Sequence, residues 1–143
     1  MNHLLKPDTG ALILRVALGS VLLAHSVYLK LMVFTLAGTA QFFASIGLPE
    51  TLAYIVLFIE VLAGVALILG VYSRIFAALA LPVLLGATWA HATNGWLFTN
   101  TGGGWEYPLF LAVMALVQLS LGDGKYALSR RFTALRSPLR SET

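Results

Sequence analysis

Cysteine is missing from this 143-residue chain. Its absence excludes thiol–disulfide exchange by the protein itself, and Fe–S ligation by the usual thiolates. Charge is scarce too: 10% of residues are Asp, Glu, Lys or Arg, against about 25% in ordinary soluble domains. With 59% hydrophobic residues and a mean hydropathy of +0.86, this excludes a soluble globular fold and predicts an integral membrane protein. No internal repeat or low-complexity block stands out. The net charge of +3 does not indicate a nucleic-acid partner, because the basic residues flank apolar spans, where the positive-inside rule accounts for them. The polar ends are short and leave no room for a soluble catalytic domain, so any chemistry must use the bundle or a partner. The first apolar run begins after Lys6-Pro7-Asp8, is too long for a signal peptide and lacks a small-residue cleavage site.

The most apolar stretch is Thr51 to Val71, long enough to cross a hydrocarbon core of about 30 Å at about 1.5 Å per residue. One ionisable residue, Glu60, sits near its middle. A lone acid at that depth costs about 2.5 kcal/mol or more, so it is expected to face protein and to have a partner. Ala53, Ala63 and Gly64 fall near Glu60 on a helical wheel and form a small-residue face that admits neighbouring helices.

Three further spans are predicted. The first runs from Ala11 to Leu31, with Arg15, Gly19, Leu22, His25, Ser26 and Lys30 on one face and an apolar face opposite. Arg15 and Lys30, near its two ends, either snorkel to the interfaces or balance a buried carboxylate. Phe34 to Ser45 is expected as an interfacial amphipathic segment, and Gly47-Leu48-Pro49 as the turn into the Glu60 helix. The third span, Ile75 to Ala92, contains Pro82 and places Ala77, Ala80, Leu84, Ala87 and Thr88 on the side of His91, with Trp89 nearby. Pro82 is expected to kink it. Thr93 to Gly104 is a Gly-rich loop, and the fourth span runs from Trp105-Glu106-Tyr107-Pro108 to Leu121. The organisation is a polar lead (1–10), an all-α four-span membrane bundle (11–122) and a basic tail (123–143). That tail is read as an interfacial helix with a disordered end, or as a docking site for anionic lipid or a partner.

Four spans put both ends of the chain on one side, with Lys6, Arg15, Arg74 and five basic tail residues, whereas the other side holds only Lys30. The positive-inside rule makes that first side cytoplasmic. Depth from the cytoplasmic boundary follows as about 6 Å for Arg15, about 16 Å for Glu60, about 21 Å for His25 and about 25 Å for His91. Ionisable groups from all four helices thus crowd the outer half.

The segments LRVALGSVLLAHSVYLKL, FFASIGLP, FIEVLAGVALILGVYSR, WAHATNGW and GGGWEYPLFL resemble, in order, the blocks of the DoxX family of small four-helix bacterial membrane proteins. The most specific are E-x-x-x-G-x-x-L-I-L-G-x-x-x-R from Glu60 to Arg74 and G-G-x-E-Y-P-L from Gly103 to Leu109. Ser26 stands where the family usually has glycine. The resemblance implies a bacterial inner-membrane, multi-pass protein associated with quinone-linked redox chemistry and with protein partners.

Three functions follow. The first is a quinone-interacting oxidoreductase or electron-transfer subunit working with a partner. Glu60, His91, Glu106 and His25 would handle protons, Arg15 or Lys30 would balance charge, and Trp89, Trp105 and Tyr107 would line the ring site. The second is a haem-b subunit ligated by His25 and His91. The third is a non-catalytic structural or assembly subunit, or a homo-oligomer, whose polar cluster fixes helix register. A solute transporter is a poorer fit, since four helices without repeats or unwound segments make a poor pathway.

Overall fold

The computed structural model describes residues 6–130. Within them the chain is all helical. Helix α1 (Pro7–Leu23) continues without a break into a π-helical segment (Ala24–Val33), followed by α2 (Leu36–Ser45), α3 (Thr51–Leu69), α4 (Ser73–Ala90), a short 3-10 turn (Ala92–Asn94) and α5 (Glu106–Leu121). Three of these units, Pro7–Val33, Thr51–Leu69 and Ser73–Ala90, are long and apolar enough to cross a membrane, and α5 is a shorter apolar helix.

Local chemistry explains the boundaries. Pro7 occupies the first turn of α1, where its missing N–H is no loss, and Asp8 complements the positive end of the helix dipole. At the end of α3, Gly70 adopts a left-handed conformation (φ 68°), which lets Gly70 N–H bond Leu67 O and Val71 N–H bond Ala66 O. That is the paired-bond termination glycine permits. Helix α4 runs through Pro82 rather than ending there. Helix α2 falls within the expected Phe34–Ser45 segment and begins at a cap, where the Thr35 hydroxyl accepts from Gly38 N–H.

Packing follows the small residues. Helix α1 lies closest to α3, and α4 to α5. The first pair crosses at Gly19 and Gly64, where a Cβ on Gly19 would lie 2.7 Å from the Gly64 carbonyl oxygen. The buried core joins Leu18, Leu22, Ala63 and Leu67 to Ala77, Ala80, Leu84, Leu111, Ala112 and Ala115. Ile55, Phe58, Leu62 and Val65 on α3 point outward, the surface a hydrocarbon environment would cover. Helix α2 packs on α3 and on the π-helical segment.

The two ends of the described chain meet. Lys125 N–H donates to Asp8 O, Ser129 donates to Gly70 O, and Arg130 forms a two-point ion pair with Asp8. Only the beginning of the predicted tail is therefore described, and it packs back on the bundle. The remainder, from 131 onward, and the lead before Lys6 lie outside the described residues.

Candidate functional site

Glu60 is buried on the α3 face shared with Ala53, Ala63 and Gly64, the face the wheel predicted. Its partner is Lys30. The ammonium Nζ donates to both carboxylate oxygens, at 2.7 Å and 2.9 Å, and the side chains are 18% and 7% exposed. Lys30 therefore does not snorkel. A bidentate contact between two mostly buried charges satisfies each where water is scarce.

The π-helical segment delivers that lysine. Its bonds run i→i+5, as in Phe34 N–H to Leu29 O at 2.8 Å, so residues five apart stack along one side. His25 and Lys30 are such a pair. An α-helix would place them about 140° apart at 3.6 residues per turn. Ser26, fully buried, donates to Leu22 O at 2.8 Å within the same stretch. At this tight position only a small side chain fits.

His25 is the third member. Its ring stacks on Tyr107 of α5, with centroids 6.1 Å apart and planes at 28°. Nδ1 lies 3.0 Å from Val21 O, a carbonyl that can only accept. Nδ1 therefore carries the hydrogen, and Nε2 of the neutral ring is left as a proton acceptor. Three elements thus converge on one group: the π-helical segment, α3 and α5.

The remaining candidates lie elsewhere. Arg15 is 1% exposed at the opposite end of the same long helix, where Nη1 donates to Leu67 O and Ile68 O and Nη2 to Lys125 O. It neither snorkels nor balances Glu60, because the open carbonyls at the end of α3 lie closer and use its fixed fork of donors. Trp89 is 58% exposed: it follows Leu84 by five residues and so turns away from the Ala77–Ala80–Leu84 core stripe. Glu106 accepts from Phe98 N–H at 3.2 Å, and Trp105 packs edge-on against Trp96 at 4.5 Å. Both fasten the Gly-rich loop, whose two ends are tied by Trp105 N–H to Gly95 O and Glu106 N–H to Trp96 O. His91 belongs to this layer. Asn94 Nδ2 donates to Gly102 O at 3.1 Å and points at His91 Nδ1 at 3.4 Å, which makes Nδ1 the acceptor and leaves the hydrogen on Nε2. Among the described residues, no group of three or more His, Cys, Asp or Glu could hold a metal ion.

Two features escaped the sequence reading. One is the π-helical register, which leaves no trace in apolar periodicity. The other is Thr35, held at φ 62° and ψ 158°, a conformation that strains any residue but glycine. The Thr39 hydroxyl donates to Thr35 O and reaches Lys30 O at 3.3 Å, so α2 is tied to the backbone that carries the lysine.

Fold and site together define a small helical membrane protein with a buried Lys–Glu pair and a stacked histidine. The chain belongs to the DoxX family, whose model matches residues 10–93. That stretch contains His25, Lys30, Glu60 and His91, whereas Trp105, Glu106 and Tyr107 lie beyond it. Over 81 residues the chain is 40% identical to a Bacillus subtilis (strain 168) protein named "Putative oxidoreductase CatD", covering 56% of this chain and 58% of that relative. No solved structure matches the chain.

Proposed function

We propose that this chain is a quinone-interacting subunit of a membrane oxidoreductase, working with a partner protein that supplies or removes electrons. The observation that carries the reading is the buried Lys30–Glu60 pair beside His25 and its Tyr107 stack. The donor set fits the ligand: an ammonium able to donate to a carbonyl oxygen, an imidazole Nε2 able to accept a proton, and an aromatic face, all in an apolar bundle. A bound quinone supplies a two-electron, two-proton redox ring. Lys30 orients a carbonyl by donating to it, and Glu60 keeps the ammonium in place and charged. His25 Nε2 takes the proton of a reduced ring's hydroxyl, while its Nδ1 hydrogen bond to Val21 O holds the imidazole in the matching tautomer. A haem bridging His25 and His91 is less well supported, since Asn94 sets His91 in the tautomer whose Nε2 lacks a lone pair.

The name of the Bacillus relative points in the same direction. The distribution of charge supports a multi-pass protein of the bacterial inner membrane with the terminal end of the bundle in the cytoplasm: Lys6, Arg15, Arg74, Lys125 and Arg130 gather at that end.

The test is binding and turnover of a short-chain quinol analogue by the full chain in lipid nanodiscs, with cell membranes supplying the partner. Glu60→Gln and His25→Ala should each lower quinol-dependent electron transfer at least tenfold while the protein still inserts and melts cooperatively. Unchanged binding and transfer in both, with only a lower melting temperature, would instead make the polar group a structural lock that fixes helix register.

A further inference from the structure

Among the described residues, three that are not glycine have a positive φ: Thr35, Tyr72 and Tyr126. The two tyrosines share the terminal end of the bundle and are strongly exposed, Tyr72 at 63% and Tyr126 at 81%. We infer that they are anchors in the headgroup layer of the bilayer, and that the segment after α5 lies along that layer rather than free in the aqueous phase. Neither tyrosine belongs to the Lys30–Glu60 site.

A left-handed backbone is strained for a residue with a Cβ, and fixed neighbours hold each tyrosine in it. Tyr72, at φ 46°, directly precedes α4. Val71 N–H before it donates to Ala66 O, and Ser73 N–H after it donates to Asp123 Oδ1 at 2.7 Å. Tyr126, at φ 54°, is gripped in the same way. Lys125 N–H donates to Asp8 O, Lys125 O accepts from Arg15, and Ala127 is buried against Gly70. With both flanks fastened to the bundle, the strained residue between them carries its side chain out. The two positions belong to one surface, since the segments that hold them are joined by Ser73 to Asp123 and by Ser129 to Gly70 O.

The chemistry of that surface fits a bilayer interface. A phenol ring in water leaves apolar area uncovered, whereas in the headgroup layer the ring is covered and its hydroxyl keeps polar partners. Leu69, Ile75 and Leu121 are exposed at the adjoining helix ends, so apolar surface on α3, α4 and α5 runs up to the tyrosines. The level is right as well. Tyr72 lies between the end of α3 and the start of α4, and Tyr126 follows the end of α5 by five residues. Neutral lipid suffices, because the contact is made by rings.

The chain has no cysteine, so Lys125→Cys places a single nitroxide beside Tyr126, at a residue whose hydrogen bonds are made by its backbone. The test is electron paramagnetic resonance of the labelled full chain in phosphatidylcholine vesicles. The ratio of oxygen to nickel-chelate collisions should fall between that of free label in buffer and that of a label at Phe58→Cys, on the exposed side of α3. In the Lys125→Cys background, Tyr126→Ala should lower the ratio about twofold, and Tyr126→Trp should restore it. Tyr72→Ala and Tyr126→Ala together should bring it to the buffer value. Tyr126→Gly, which suits the left-handed backbone, should lower it as far as Tyr126→Ala without lowering the melting temperature, which separates the ring from the fold. A buffer-like ratio with both tyrosines present overturns the proposal, as does a ratio that the double alanine variant leaves unchanged. Shielding of the label from oxygen and nickel alike overturns it too, by assigning the surface to a second copy of the chain.

Discussion

Arg15 and Lys30 are two buried cations on one continuous helical unit, fifteen positions apart, and they are stabilised in opposite ways. Arg15 donates to backbone carbonyls at the end of α3 and in the chain after α5, where the negative end of a helix dipole already favours a cation. Its partners cannot titrate. Lys30 donates to a carboxylate, and the protonation of that partner can change. The first arrangement is a clasp that holds three chain segments together under any condition in which the helices persist. The second can exchange a proton or yield a hydrogen bond to a ligand. Two cations largely withdrawn from solvent thus differ in kind, and the partner decides how.

That contrast can be tested by removing each cation. Lys30→Met leaves the Glu60 carboxylate buried and unpaired and should destabilise the folded protein most, by about 3–5 kcal/mol, read from denaturant or thermal unfolding in detergent. A Lys30→Met, Glu60→Met double variant should recover most of that loss. Failure of the second change to rescue the first would mean the pair is not energetically coupled.

Arg15→Met should cost less, about 2–3 kcal/mol, because the carbonyls of Leu67, Ile68 and Lys125 lose a charged donor but no buried charge is left behind. Loss of a nearby acid should not restore it. If Asp123→Asn rescued Arg15→Met, the clasp would be electrostatic and the distinction between the two cations would blur.

The smallest effect belongs to Asp123 at the terminal end. Burial works against its charge, but the Ser129 hydroxyl and Ser73 N–H outweigh it and hold the carboxyl below its ordinary value of 3.8. A carboxyl whose folded pKa is depressed contributes stability that is complete above the unfolded value and is lost as pH falls through the folded one. The melting temperature of the wild type should therefore fall on acidification below about pH 4, and Asp123→Asn should flatten that part of the profile. An identical acid limb in the variant would assign the sensitivity to another group.

Much of this was legible in the residues. The Glu60 helix, its small-residue face and its end at Gly70 were readable because apolar length, 3.6-residue spacing and a glycine terminator are local properties. Glu60's need for a partner was equally clear, since a lone buried acid is costly. Which cation would answer was open: Arg15 and Lys30 lay on the same predicted face. Residue type and depth also assigned Glu106 to the site as a proton-handling group and Trp89 and Trp105 as ring-lining aromatics, because neither shows how the Gly-rich loop folds. In the fold, that loop takes up Glu106 through Phe98 N–H and pairs Trp105 with Trp96.

By itself the sequence determined that this chain is a helical membrane protein, with its long apolar helices, its turn residues and one acid that had to be paired, because each follows from hydropathy and short-range backbone chemistry. Only the tertiary structure decided that Lys30 pairs with Glu60, that His25 stacks on Tyr107 and that Arg15 serves as a clasp. These outcomes depend on a π-helical register and on which helix ends meet, and both are set by contacts between residues far apart in the chain.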